Sequence, residues 1–112
     1  MEKFIKNIDH ETVLNLAQQV QILPGQVVSK TLAQNSAVSI TVFAFDKGEE
    51  IATHDSSGDA MVTVLEGTGR FTVDGAEHIV NAGESIIMTA KKPHAVYAQQ
   101  TFKMLLVVVF PQ

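Results

Sequence analysis

The sequence predicts an all-β barrel or sandwich preceded by one short helix, and three observations carry that prediction. Hydrophobic residues make up 46% of the 112-residue chain, but aromatics only 6%, with no tryptophan. The core must therefore be built mainly from Val, Ile, Leu, Ala and Met, a mixture that suits strands. After Pro24-Gly25 the hydrophobic period becomes two. Turn signals then recur at short intervals, and no gap between them has room for the crossover helix that parallel strands require.

The helix is expected between Asp9 and Val20. Asp9 can cap it, Glu11 suits a first turn where the helix dipole favours negative charge, and Val13, Leu16, Ala17 and Val20 recur at i, i+3, i+4 and i+7. Pro24-Gly25 bounds it. Strands are expected over residues 27–32, 38–45, 60–65, 70–73, 77–80, 85–89, 95–98 and 102–110. In the second of these, Val38, Ile40, Val42 and Ala44 fall on one face, and Ser39, Thr41, Phe43 and Phe45 on the other. In the third, Ala60, Val62 and Val64 are expected inward, with Met61, Thr63 and Leu65 outward. Gly67-Thr68-Gly69 and Asp74-Gly75 read as turns. Asp74-Gly75 is the stronger signal, since a type I′ hairpin needs positive φ at both central residues. Neither segment reads as a phosphate cradle, because no helix follows to supply its dipole.

Residues 104–110 show no alternation at all, so both faces of the last strand are expected to be covered. A barrel interior covers one face. The cover expected for the other is a second copy of the chain, sheet packed on sheet across a two-fold axis.

Charge and cysteine content exclude several functions. The formal net charge is −4 and the only adjacent basic pair is Lys91-Lys92, which excludes nucleic acid and anionic membrane as partners. Absence of cysteine removes disulfides, thiolate metal ligands and a cysteine nucleophile together. The first residues do not read as a signal peptide, and the longest apolar run is about a third of the roughly 20 residues a membrane span needs. A cytoplasmic protein is therefore expected. Residues 1–112 read as a single domain, with an N-terminal extension over 1–37 and a barrel core over 38–110; about 65% of the unfolded chain's surface can be buried at this length.

Four histidines stand at positions 10, 54, 78 and 94. His10 and His78 read as solvated side chains. His54 and His94 each lie where a strand meets a turn rich in Gly, Ser or Pro, the place where strand scaffolds present functional groups. Two imidazoles distant in sequence can converge from neighbouring strands. The carboxylates form no acid/base pair, and no nucleophile motif, phosphate loop or dinucleotide fingerprint is present.

Residues 48–67 carry Gly48, His54 and Gly67 in a spacing that resembles the first cupin motif: glycine, five residues, His-x-His, three or four residues, glutamate, six residues, glycine. Residues 83–94, from Gly83 to His94, are similar to the second motif. Over residues 38–110 the chain thus resembles small single-domain cupins of the RmlC-like superfamily, which implies a double-stranded β-helix, or jelly-roll, barrel. The resemblance also implies a divalent transition metal as cofactor, with His54 and His94 as its ligands. Several positions depart from the pattern. Ser56 stands at the second histidine and Ala60 at the glutamate, while Thr89, Lys91 and Ala98 replace the proline, glycine and asparagine of the second motif. Two histidines with waters bind a divalent ion weakly. Ser56 keeps the inward phase of His54, and Asp59 brings a carboxylate inward only where the turn bends.

The expected function is small-molecule binding in the barrel, with His54, His94, Ser56 and Asp59 as the polar groups. The alternatives are a metal-dependent oxygenase or isomerase with two histidine ligands, and a structural dimer without chemistry. Light scattering on untagged protein at micromolar concentration should return the mass of two chains; the mass of one would contradict the covering partner.

Overall fold

The alternating segments become eight antiparallel strands in the computed structural model, which describes residues 3–112. They are β1 (Val27–Gln34), β2 (Val38–Phe45), β3 (Glu50–His54), β4 (Asp59–Val73), β5 (Ala76–Asn81), β6 (Ser85–Met88), β7 (His94–Tyr97) and β8 (Phe102–Val109). One layer has β1 on β2, β2 on β8, β8 on β4 and β4 on β6. The other has β3 on β7, with β7 and β5 on either side of β4. β4 belongs to both layers. Its first half pairs with β8 and β6, as in Thr63↔Leu105 and Ala60↔Met88, and its second half with β7 and β5, as in Phe71↔Val96 and Thr72↔Glu77. The sheet curls around this strand into a β-barrel.

The barrel core holds Phe45, Phe71, Phe102 and Met104, all essentially without exposure, together with Val62 and Val64. Phe45 stacks on Phe102 at 4.6 Å between ring centroids, and Phe71 meets the same ring edge-on at 6.1 Å. Such aromatic pairs contribute about 0.5–1.5 kcal/mol each beyond the area they bury. A second, smaller cluster lies outside the barrel wall, where Val42 and Ala44 meet Val20 and Leu32. The two faces predicted for β2 are thus both apolar because each looks into a different cluster.

Gly67-Thr68-Gly69 does not reverse the chain, and the two strands expected on either side of it are one. The β4–β8 register slips between Val64 and Glu66, a bulge that bends the strand, and Gly67 follows with φ +75°. A Cβ on Gly69 would lie 2.7 Å from the Phe71 ring and 2.8 Å from Phe102. Both glycines therefore serve a bend and a close approach inside a strand, not a turn. Asp74-Gly75 is the hairpin it was expected to be, with φ +50° and +84°.

The expected helix is reduced to a single 3-10 turn, Leu16–Gln19, capped by the Asn15 side chain, which accepts from the Ala17 amide at 2.9 Å. Asp9 is not the cap. Glu11 sits in the left-handed region at φ +56°, which no helix can pass through, and Val13 is fully exposed. The remaining apolar residues of the supposed stripe do face the protein, with Ala17 and Val20 buried. Their spacing comes from one tight turn set in extended chain.

This segment also covers part of β8. Lys103, only 9% exposed, donates its Nζ to the Ala17 carbonyl at 2.7 Å and lies 3.8 Å from a Glu66 carboxylate oxygen. Leu105 packs into the outer cluster. For the first half of β8, the cover predicted by its missing alternation is supplied by the chain itself. Further along, Val107 lies beside Met61 and Met61 beside Ile87, and the last two are 41% and 62% exposed. No helix among the described residues is long and apolar enough to cross a membrane.

Candidate functional site

His54 ends β3, His94 begins β7, and the antiparallel pairing of these strands sets the two directly opposite each other. The register slips between Ile51 and His54, the kind of irregularity that re-aims a side chain at a sheet edge. The rings meet edge to face, 4.4 Å between centroids and 70° between planes. On its other side β7 pairs with β4 through Val73↔His94, so His94 is held between two strands.

Backbone carbonyls fix the tautomers. His54 donates Nδ1–H to the Ala52 carbonyl at 2.9 Å and His94 donates Nδ1–H to the Lys92 carbonyl at 3.1 Å. A carbonyl only accepts, so each Nδ1 carries the proton and each neutral ring keeps its lone pair on Nε2. His94 is 4% exposed, yet no buried side-chain nitrogen or oxygen among the described residues lacks a partner. Its Nε2, which has no partner among them, is the atom through which the ring reaches open space. Burial pushes the pKa of His94 below the ordinary 6.5; the Lys92 carbonyl acts in the opposite direction, His54 lowers it further and Asp55 raises it.

Both rings line a cavity of about 190 Å³ between the layers. Ser39 and Ser56 add two hydroxyls, and the rest of the wall is apolar, including Met88, Val96, Met104 and Leu106. Ser56 Oγ accepts from the Gly58 amide at 3.1 Å, which leaves its own proton free to donate.

Three of the four residues expected from the sequence, His54, His94 and Ser56, come together here. Asp59 does not line the cavity: it is exposed, and its Oδ1 accepts from the Ala90 amide at 2.8 Å, fastening the loop after β6. Ala60 next to it points inward and is 2% exposed, as alternation requires. Sequence reasoning did not single out Ser39, Met88 and Met104. Ser39 carried a usable signal, a polar residue in phase with inward Phe43 and Phe45; Met104 lay in a run with no alternation to read. His10, whose Nε2 lies 2.6 Å from the Ile5 carbonyl, and His78 on β5 stand outside the cavity.

The donor set does not fit a resident divalent metal. No group of three or more His, Asp or Glu side chains converges among the described residues. Ala60 has no donor, Ser56 is a neutral hydroxyl and Asp59 lies outside, whereas a catalytic divalent site takes three or more protein ligands. What the arrangement does offer is two fixed hydrogen-bond acceptors and two hydroxyls at one end of an apolar cavity.

The cupin domain model matches residues 41–110. Among solved structures, a conserved protein of unknown function from Streptococcus pyogenes is 49% identical over 99% of this chain and 97% of that one, with a TM-score of 0.97. A cupin superfamily protein from Desulfitobacterium hafniense is 30% identical over 96% and 98% of the two chains, with a TM-score of 0.91. Salicylate 1,2-dioxygenase from Pseudoaminobacter salicylatoxidans is 17% identical over 80% of this chain and 26% of its own, with a TM-score of 0.69, a likeness of fold alone. No curated protein matches the chain.

The buried, neutral His94 makes stability depend on pH. Its folded pKa lies below its unfolded value of 6.5, so below that pH the unfolded chain binds more protons than the folded one. The contribution is complete above about pH 6.5 and is lost as the pH falls. Urea midpoints measured from about pH 8 down to pH 5 should decline below 6.5 more steeply in the natural protein than in His94→Gln. Equal slopes would contradict this assignment.

Proposed function

The chain belongs to the cupin family, and on that premise we propose that its barrel binds a small organic molecule, with His54, His94 and Ser56 as polar anchors at the mouth. The observation that carries the reading is the pair of rings whose Nδ1 protons are already engaged, leaving two Nε2 acceptors beside a cavity that is otherwise mostly apolar. Concave, mainly apolar sites with a few convergent polar groups are the usual form of a small-molecule site. The two-imidazole donor set favours binding over a metal-dependent oxygenase or isomerase. Polar atoms placed in an apolar pocket favour it over a purely structural dimer, since such groups are costly unless something meets them.

A homodimer is part of the same proposal. The row formed by Ile87, Met61 and Val107 on the outer face of the sheet supports it, being a contiguous apolar surface that the chain's own N-terminal segment does not hide. The light-scattering mass tests it.

A thermal-shift screen with fragment-sized neutral and acidic compounds tests the binding reading. A ligand present at 100 times its Kd stabilises the fold by about 2.7 kcal/mol. At least one compound should raise Tm, and the rise should be lost or strongly reduced in His54→Ala, a truncation at an exposed residue that opens no core. A screen with no shift, or shifts undiminished in the variant, would sink the reading.

A further inference from the structure

Resting on the binding reading above, we propose that the ligand is an uncharged aromatic ring bearing a hydroxyl, a phenol-type molecule whose O–H donates to one of the two imidazole Nε2 atoms. Size sets the first limit. An apolar cavity of about 150 Å³ accommodates benzene, so about 190 Å³ gives room for one ring with one or two small substituents.

The wall selects for aromaticity. Met88 and Met104 bring thioethers from two different strands, and Phe110 adds an aromatic face. Sulfur at the edge of a ring and offset or edge-on ring pairs are both favourable contacts that an aliphatic ligand cannot make. The polar end selects for a donor. With Nδ1–H of each histidine committed to a backbone carbonyl, the rings present acceptors only, and a ligand hydroxyl satisfies one of them directly. Ser39 and Ser56 can then serve a second small substituent in either sense.

Charge selects against an anion. No Lys or Arg side chain lines the cavity. Lys92 contributes its carbonyl to His94, and its side chain, like that of Lys91, is exposed on the loop. A carboxylate would need a protonated imidazole, a state that burial of His94 opposes, and it would meet the negative potential of Asp55. The acceptor pair therefore prefers a neutral O–H to the anionic group of an aromatic acid.

Calorimetric titration at pH 7.5 with 4-methylphenol, toluene and benzoate tests this. 4-Methylphenol and toluene differ only in the hydroxyl presented to the histidines, and benzoate presents a carboxylate from the same ring. 4-Methylphenol should bind about tenfold more tightly than toluene, the effect of one hydrogen bond, and at least tenfold more tightly than benzoate. In at least one of His54→Ala and His94→Gln, whichever removes the acceptor that the hydroxyl meets, the advantage over toluene should shrink to within about threefold, and an advantage kept in both variants overturns the proposal. Benzoate binding as tightly as 4-methylphenol, or toluene matching it, overturns the ligand class while leaving the binding reading intact. So does a lack of binding by all three probes when other fragments still give a His54-dependent thermal shift. Absence of any binding or any shift overturns both.

Discussion

A single fifteen-residue strand has to serve two sheets, and nearly everything about the site follows from how it does so. β4 must bend at its centre, and the bend is made by the slip after Val64, the left-handed Gly67 and the missing side chain at Gly69, against which Phe71 and Phe102 close. Before the bend, Ala60, Val62 and Val64 give the cavity and core their wall. After it, Val73 pairs with His94 and so fixes the start of β7. The pairing of β3 on β7 then places His54, and the two rings meet. Neither histidine needs the other to be positioned; both are placed by backbone register.

The polar groups are arranged with equal economy. The hydrogen-bonding choices at the mouth are made by backbone: the Ala52 and Lys92 carbonyls accept the imidazole protons and the Gly58 amide donates to Ser56 Oγ, while beside the mouth the Ala90 amide donates to Asp59 Oδ1. On the opposite side of β8, the Ala17 carbonyl receives the buried Lys103 ammonium, a charge whose desolvation is offset by that bond and by Glu66. The N-terminal segment is thereby tied to the barrel wall through a residue that alternation alone would place in solvent. The mouth is thereby pre-organised by hydrogen bonds to backbone, which suits the proposed capture of a ligand.

What could be read in the sequence was whatever depends on local pattern. The faces of β2, the inward phase of Ala60, Val62 and Val64, and the Asp74-Gly75 hairpin follow from the two-residue pleat and from the φ that a type I′ turn demands. Gly48, His54, Gly67, Gly83 and His94 fell in register with a family pattern and marked the barrel. Features that depend on contacts distant in sequence were not legible. Gly67 and Gly69 look like a turn until Phe102 is seen beside them. Val13, Leu16, Ala17 and Val20 keep helical spacing although Glu11 breaks the path. The apolar residues of β3, Ile51 and Ala52, are adjacent and so show no alternation, and pattern gave no reason to expect it as a strand. Asp59 was read as a neighbour of the site because sequence proximity does not reveal which way a bent edge turns its side chains.

The acceptor pair at the mouth depends on which nitrogen of each ring carries the proton. Long-range nitrogen-detected NMR of the natural protein at pH 7.5, with His54→Ala and His94→Gln used to assign the signals, reports which nitrogen of each imidazole carries the proton. The structure predicts a neutral His94, and in both rings the tautomer that carries its proton on Nδ1 and leaves Nε2 bare. The Nε2–H tautomer in either ring, or a charged His94 imidazolium at that pH, would remove the acceptor pair and contradict this arrangement.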